Sequence, residues 1–265
     1  MFDYHMHSKY SIDGYEEIDI LCKESIKKGL KEIAITDHYD LYQDQNREDN
    51  VDFKSLYKDI LEARKKYKDK LKIKYGVEIG QSHFNSTLAN NLIATQPFDF
   101  IIGSVHNLND NFDVGLCNYN KISIEDIYSD YVNTLIEMAK TSDFDSMGHI
   151  TYPVRYAFAQ TKKYPDWTPF KDQIECLYKE LIKQDKGIEI NCSGCSKVLQ
   201  RTMPDLDLVM FYKECGGKIL TVGCDSHSKE YVGAGVNKAL QIAKQAGFNE
   251  ITTYTQRKPK FIKIY

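Results

Sequence analysis

The chain has 265 residues, of which 42% are hydrophobic and 28% charged, with 35 basic against 38 acidic side chains and a formal net charge of -3. Those values exclude a disordered or collagen-like chain, and the length suits one large domain, 1–265, since an α/β barrel fills about 250 residues as a single unit. The charge balance offers no basic track for nucleic acid and no cationic face for an anionic membrane, and no apolar run reaches the roughly 20 residues of a membrane span.

The N-terminal run MFDYHMHSKYSIDG has neither the basic nor the apolar region of a secretory signal. Seven cysteines (22, 117, 176, 192, 195, 215 and 224) are odd in number and scattered, so reduced thiols and a cytoplasmic location are expected. Residues 2–7 read as a first strand. In 16–28, Ile18, Leu21, Cys22 and Ile26 recur at helical spacing, and Gly29 stands at the cap position. Strand 31–37 (KEIAITD) follows, then a lysine-rich amphipathic helix 53–68, strand 72–79, a helix near 86–95 and strand 98–105 (FDFIIGSV). Helix 123–140 opens at Ser123 with Asp126 three residues on, a weak capping box. Strand 145–148, helix 170–185, strand 187–192, helix 205–215, strand 218–224 and helix 231–246 continue the alternation. A hairpin of 250–255 and 260–264 turns around Lys258-Pro259. The longest irregular segments are 39–52 and 151–170.

Alternating strands and helices imply parallel strands joined by right-handed crossovers. About seven such units fit a closed barrel better than an open doubly wound sheet, which stays as the alternative. In a barrel the C-terminal strand ends share one rim. Six of the seven histidines fall at those ends: His5 and His7 after strand one, His38 after strand two, His106, His149 and His227 after strands four, five and seven. Glu78 ends strand three, Asp225 precedes His227, and Asp13 lies in the loop after the first pair. A lone histidine is usually structural. Six at one rim, with carboxylates beside them, exceed the ligands of one tetrahedral site and point to two or three divalent ions. Mixed nitrogen and oxygen donors favour Zn, Mn or Fe.

His5-x-His7-Ser8 with Asp13-Gly14, Thr36-Asp37-His38, Gly76-Val77-Glu78-Ile79-Gly80, Ser104-Val105-His106, Gly148-His149 and Asp225-Ser226-His227 occur in order over nearly the whole chain. By these motifs the sequence resembles the polymerase-and-histidinol-phosphatase (PHP) family; its length and the runs DFIIGSVH and EINCSG are similar to the stand-alone histidinol-phosphate phosphatases. The resemblance implies a distorted (βα)7 TIM-like barrel with a trinuclear metal centre. It implies one ion on His5, His7, Glu78 and Asp225, a second on Glu78, His106 and His149, and a third on Asp13, His38 and His227.

Adjacent divalent ions clamp the attacking and leaving oxygens of a phosphoryl group. The resemblance to the histidinol-phosphate phosphatases implies L-histidinol phosphate, a small-molecule monoester, as substrate, with a hydroxide between the first two ions expected to attack phosphorus. Glu78, Asp225 and His227 are the expected catalytic residues. The leaving oxygen takes its proton from a metal-bound water, Asp37 or His227. Charge on the monoester calls for cations: Arg155 first, then Arg201 and Lys197 after strand six. His83, past Glu78, is a candidate for the imidazole or amine of the substrate. Asp40, Tyr39 and Tyr42 in the acidic loop are read as surface residues. Two alternatives stand: a phosphoesterase for another small phosphate or nucleotide, and a metal-binding module without catalysis. Cys192-x-x-Cys195 reads as a core cysteine followed by a loop cysteine, and Gly233-x-Gly235 as a loop fragment.

Overall fold

Short runs of β-branched and aromatic residues, alternating in register with smaller or polar ones, set the strands. The computed structural model describes residues 1–44, 49–109 and 111–264. Its strands are β1 (Phe2–Asp3), β2 (Glu32–Ile35), β3 (His38–Asp40), β4 (Lys72–Gly80), β5 (Phe100–Ser104), β6 (Asn107–Leu108), β7 (Phe112–Asp113), β8 (Ser146–Met147), β9 (Gly187–Asn191), β10 (Leu220–Gly223), β11 (Glu250–Thr255) and β12 (Lys258–Lys263). The helices are α1 (Ile18–Lys27), α2 (Phe53–Tyr67), α3 (Ser86–Thr95), α4 (Ile124–Thr141), α5 (Tyr152–Thr161), α6 (Lys171–Lys183), α7 (Leu206–Glu214) and α8 (Val236–Gln245).

The main sheet runs β1-β2-β4-β5-β8-β9-β10, with β3 added beside the end of β4, and every pairing in it is parallel. Its edges meet: Tyr4 N donates to Val222 O at 2.9 Å, Asp225 N to His5 O at 2.7 Å and His7 N to Ser226 O at 2.9 Å. The result is a nearly closed barrel of seven parallel strands with alternating helices, and the open doubly wound sheet is excluded.

Alternation along the strands divides the interior into two layers. Helix-facing Ile33, Ile35, Ile101, Ile188 and Ile190 join the main core. At the N-terminal end of the barrel, Tyr4, Ala34, Phe100 and Ile102 form an inner apolar cluster closed by Tyr254 of the terminal hairpin. The Tyr254 ring lies 5.0 Å from that of Phe100, and its backbone N donates to the Tyr4 hydroxyl at 2.9 Å. Nearer the C-terminal ends the same alternation buries Glu78, Ser104, Glu189 and Asn191. One end is sealed with rings, and the other is polar.

Four local expectations change. The segment 151–170 contains α5, because Pro153 falls in the first turn, where its missing N–H is no loss and where Pro153, Val154 and Ala157 form the buried face. Only Phe2–Asp3 of the first predicted strand pairs with β2; residues 4–7 bond instead mainly across the seam described above. Helix α8 starts at Val236, since Gly233 and Gly235 adopt φ of 67° and 80°. The hairpin turns at Gln256-Arg257, with φ of 49° and 62°, as a tight turn of that hand requires. Pro259 pairs opposite Tyr254 in an edge strand, where a proline is tolerated. The Ser123 cap is as expected, its Oγ accepting from Asp126 N at 3.1 Å.

Tyr254→Ala would open the sealed end of the barrel. The expected cost is about 3 kcal/mol, seen as a lower urea midpoint with an unchanged slope.

Candidate metal centre

Glu78 stands on the inner face of β4, fully buried, and imidazoles from four parts of the chain surround its carboxylate. Oε2 lies 3.0 Å from His5 Nε2, 3.0 Å from His38 Nδ1 and 3.5 Å from His7 Nε2. Oε1 lies 2.8 Å from His149 Nε2 and 3.4 Å from His106 Nε2, and accepts from Ser104 Oγ at 2.5 Å. The neighbouring glycines make the room. A Cβ at Gly80 would stand 2.1 Å from Asp40 Oδ1, and one at Gly223 2.2 Å from His5 Cβ and 2.3 Å from Glu189 Oε1.

The cluster continues toward solvent. Asp225 Oδ1 is 3.3 Å from His7 Nε2, 3.7 Å from His5 Nε2 and 3.5 Å from His227 Nδ1. Asp13, half-exposed, brings Oδ2 to 3.0 Å from His227 Nε2 and 3.8 Å from His38 Nε2. The His7 ring stacks between those of His38 and His227, each at 4.2 Å. All nine residues expected to hold metal therefore meet at one rim.

Burial disfavours protonated His5, but the charges of Glu189, Glu78 and Asp225 outweigh it and hold its pKa well above the ordinary value. His38 is likewise opposed by burial yet raised to about 9 by Glu78 and Asp40. His7 goes the other way: burial and the His227 and His38 charges lower it to about 3. Burial would raise Glu78, but His5 and His38 pull it well below the carboxylate range.

His7 Nε2, His38 Nδ1 and Asp40 Oδ1 are buried without a hydrogen-bond partner among the described residues. Four groups of three donors have ligand atoms within 4.8 Å of one another: His5, His7 and Asp225; His5, Glu78 and His149; His7, His38 and His227; and His38, Asp40 and His106. Unpaired buried atoms converging on carboxylates, in a nitrogen-and-oxygen donor set, fit divalent transition-metal ions. Two outward nitrogens are held by carboxylates as well. His5 Nδ1 is 2.7 Å from Glu189 Oε1 and His106 Nδ1 is 2.8 Å from Asp40 Oδ2; such outer carboxylates fix tautomer and ring orientation.

Beside the cluster, Arg155, Ser193, Lys197, Asp225, His227 and Tyr231 are among the residues lining a cavity of about 960 Å³. Arg155 extends from α5, not from a loop. Its guanidinium lies 5.0 Å from the Tyr152 ring and 4.8 Å from that of Tyr156, and its Nη1 donates to Ser193 Oγ at 3.0 Å. Arg201 is turned away, toward Asp205 at 3.0 Å and the Tyr164 ring at 4.3 Å. His83 packs against Phe84, ring centroids 4.4 Å apart and tilted by 53°, with its ring nitrogens unpartnered among the described residues and its pKa lowered to about 4 by burial; it does not line this cavity. Asp37 is enclosed, accepting from Ser8 N at 2.5 Å, Ser8 Oγ at 2.7 Å and Ser11 Oγ at 3.1 Å. Of the two side chains considered as proton donor, His227 faces the cavity.

A family model, PHP domain, matches residues 3–193. The chain belongs to the PHP domain family. It is 30% identical over 260 residues to the histidinol-phosphatase of Lactococcus lactis, covering 97% of this chain and 95% of that one. A Thermotoga maritima protein described as "Probable histidinol-phosphatase" is 27% identical over 248 residues, 94% of this chain and 93% of its own. Among solved structures, the Lactococcus lactis histidinol phosphate phosphatase complexed with zinc, L-histidinol and phosphate superposes with a TM-score of 0.84 at 28% identity, covering 98% of each chain. A Listeria monocytogenes structure, at 19% identity and a TM-score of 0.74 over 90% of this chain and 99% of that one, shares the fold.

Two carboxylates of this PHP domain escape sequence reading. Asp40 falls in a segment whose composition predicts acidic surface, but β3 pairs His38–Asp40 with Glu78–Gly80 and carries Asp40 to His106. Glu189 sits between helix-facing Ile188 and Ile190, and that alternation was the available signal. No helix among the described residues is long and apolar enough to cross a membrane.

In the metal-free chain, the raised pKa of His38 makes folding take up a proton. That contribution is complete below pH 6.5 and fades as pH rises through about 9. Lowered Glu78 contributes in the opposite sense, complete above its ordinary 4.5 and lost as pH falls below it. The melting temperature in chelator is expected to fall between pH 6.5 and 9, and a saturating divalent cation is expected to flatten that slope.

Proposed function

We propose that the chain is a metal-dependent phosphomonoesterase that hydrolyses L-histidinol phosphate to L-histidinol and phosphate, a step of histidine biosynthesis. The observation that carries this is the rim itself. Six imidazoles and three carboxylates converge there beside an arginine-bearing cavity, in a chain 30% identical over nearly its whole length to a histidinol-phosphatase.

His5, His7, Glu78 and Asp225 would hold one ion, Glu78, His106 and His149 a second, and Asp13, His38 and His227 a third, with Zn, Mn or Fe matching the donors. Bound there, the ions supply Lewis acidity, a lowered pKa for water and neutralisation of phosphoryl charge. Every other role falls to side chains. Arg155 faces the phosphate oxygens with a planar fork suited to them, and Tyr152 and Tyr156 keep the fork from rotating. Lys197, whose Nζ lies 5.1 Å from the Tyr231 ring, adds charge at the same mouth. Where the third ion is not bound, His227, on the cavity wall, would give its proton to the leaving alkoxide.

The charge of the surroundings favours a substrate carrying a cation as well as a phosphate. On the other side of the cluster a second cavity, about 450 Å³, is lined by residues that include Asp13, Asp40, Asp49 and Asp113. A monoester whose alcohol bears an ammonium and an imidazole can present each end to charge of opposite sign. A nucleic-acid backbone presents only anions, and these carboxylates would repel it. Seven free thiols fit a reducing compartment such as the cytoplasm.

Phosphate release from a panel of small monoesters, with protein reconstituted in Mn or Zn, tests the assignment. A preference of about 100-fold or more in kcat/KM for L-histidinol phosphate is expected. Uniform slow rates would remove the biosynthetic role, and no release from any ester would leave a binding module. Arg155→Ala should raise KM and lower kcat while metal content, read by elemental analysis, stays at the wild-type level. Unaltered kinetics would transfer its role to Lys197.

A further inference from the structure

Asn191 ends β9, fully buried, and its amide reaches in two directions. Nδ2 donates to Glu189 Oε2 at 3.1 Å and to Asp225 Oδ2 at 3.2 Å. Oδ1 accepts from Ser193 N at 2.9 Å and from Ser193 Oγ at 2.7 Å. With its proton committed to Asn191, the Ser193 hydroxyl presents lone pairs outward and accepts from Arg155 Nη1 at 3.0 Å. The partners fix which way the amide points: two carboxylates can only accept, and a backbone N–H can only donate.

We infer that Asn191 is a positioning residue that sets Arg155 in register with Asp225 and His5. The inference rests on the roles given to those three residues above. Asp225 and His5 are joined by the seam bond from Asp225 N to His5 O at 2.7 Å, but Arg155 belongs to α5, and no backbone bond sets it against them. Asn191 touches or reaches all three. It holds Asp225 directly, Arg155 through Ser193, and His5 through Glu189, whose Oε1 is 2.7 Å from His5 Nδ1. Glu189 Oε2 also accepts from His149 N at 3.2 Å, which ties the opposite wall to the same point.

The chemistry of the position demands an amide. Glu189 and Asp225 are both buried carboxylates, and the two N–H bonds of Asn191 place partial positive charge between them. Aspartate has nearly the same shape but would bring a third carboxylate to that point, where low polarity magnifies repulsion. A hydroxyl side chain lacks the second donor and the opposed acceptor. The two arms are therefore separable. Asn191→Asp keeps an oxygen for Ser193 and Arg155 but abolishes the donors to Glu189 and Asp225. Ser193→Ala keeps those donors and cuts the link to Arg155.

The experiment uses the whole chain, with zinc or manganese affinity measured by chelator competition, kinetics on L-histidinol phosphate, and inhibition by inorganic phosphate. Asn191→Asp is expected to weaken metal affinity by about tenfold or more. Ser193→Ala is expected to leave metal affinity at the wild-type value while raising both KM and the inhibition constant for phosphate. Asn191→Ala adds no buried charge, so it guards against misfolding of the aspartate variant; it should show both losses. Thermal midpoints are recorded for all three. Wild-type metal affinity in both Asn191 variants overturns the role. So does a parallel fall of metal affinity and phosphate binding in Ser193→Ala and Asn191→Ala that tracks the thermal midpoint, because that is loss of structure alone. Wild-type protein that takes up no divalent metal overturns the metal centre itself, and this role with it; that failure is visible before any variant is made.

Discussion

A single buried carboxylate with five imidazoles around it governs this molecule. Glu78 cannot sit in a barrel interior unless its charge is balanced there, since an uncompensated buried carboxylate is far costlier than any packing gain it allows. The balancing groups come from the ends of β1, β2, β5 and β8, strands far apart in sequence. Only a parallel arrangement delivers them to one place. The glycines flanking Glu78 follow from the same demand, because Asp40 fills the space that a side chain at Gly80 would need. The division of the barrel follows too. A polar layer at the C-terminal end requires an apolar one below it, and Tyr4, Phe100, Ile102 and Tyr254 provide it.

Much of this is legible in the sequence because it depends on periodicity. Strand ends are marked by apolar runs, and in an alternating strand–helix chain those ends share a rim, so His5, His7, Glu78, His106, His149 and Asp225 can be placed together without coordinates. What escapes depends on conformation that short-range pattern does not encode. Pro153 reads as a loop residue in isolation; in the first turn of α5 it is a helix starter, and that changes how Arg155 approaches the cavity. Asp40 is carried inward by a strand of three residues, too short to show a period. Asn191 is visible as a strand residue, but the four bonds its amide makes depend on where Ser193, Glu189 and Asp225 stand in space. Arg201 shows the converse: proximity to the rim in sequence says nothing of its preference for Asp205 and Tyr164.

Apart from Asp225, which lines the same cavity as Arg155, the cations and anions named here lie on opposite sides of the rim. Arg155 and Lys197 lie on the side of β9 and α5, while Asp40, Asp49 and Asp113 lie on the side of β3 and β7. The histidine cluster occupies the boundary. A field of this kind orients a ligand before it docks, because a molecule with opposite charges at its ends feels a torque as well as an attraction. It also limits what can bind well. A simple dianion gains from one side and is repelled by the other, whereas a dianion joined to a cation gains from both. Selectivity can therefore come from the arrangement of charge as much as from the shape of either cavity.

Proton and metal occupancy of the centre are two answers to one charge problem. The carboxylates hold the His5 and His38 pKa values above their ordinary range, and the imidazoles hold Glu78 below its own, so positive charge is favoured at this point. A cation bound by His5 and His38 would displace protons from both, since a protonated nitrogen has no lone pair to offer. Uptake would then release protons and become more favourable as pH rises. His7 stands apart. Already neutral, with its pKa near 3 and Nε2 unpaired among carboxylates, it offers a lone pair with no proton to remove.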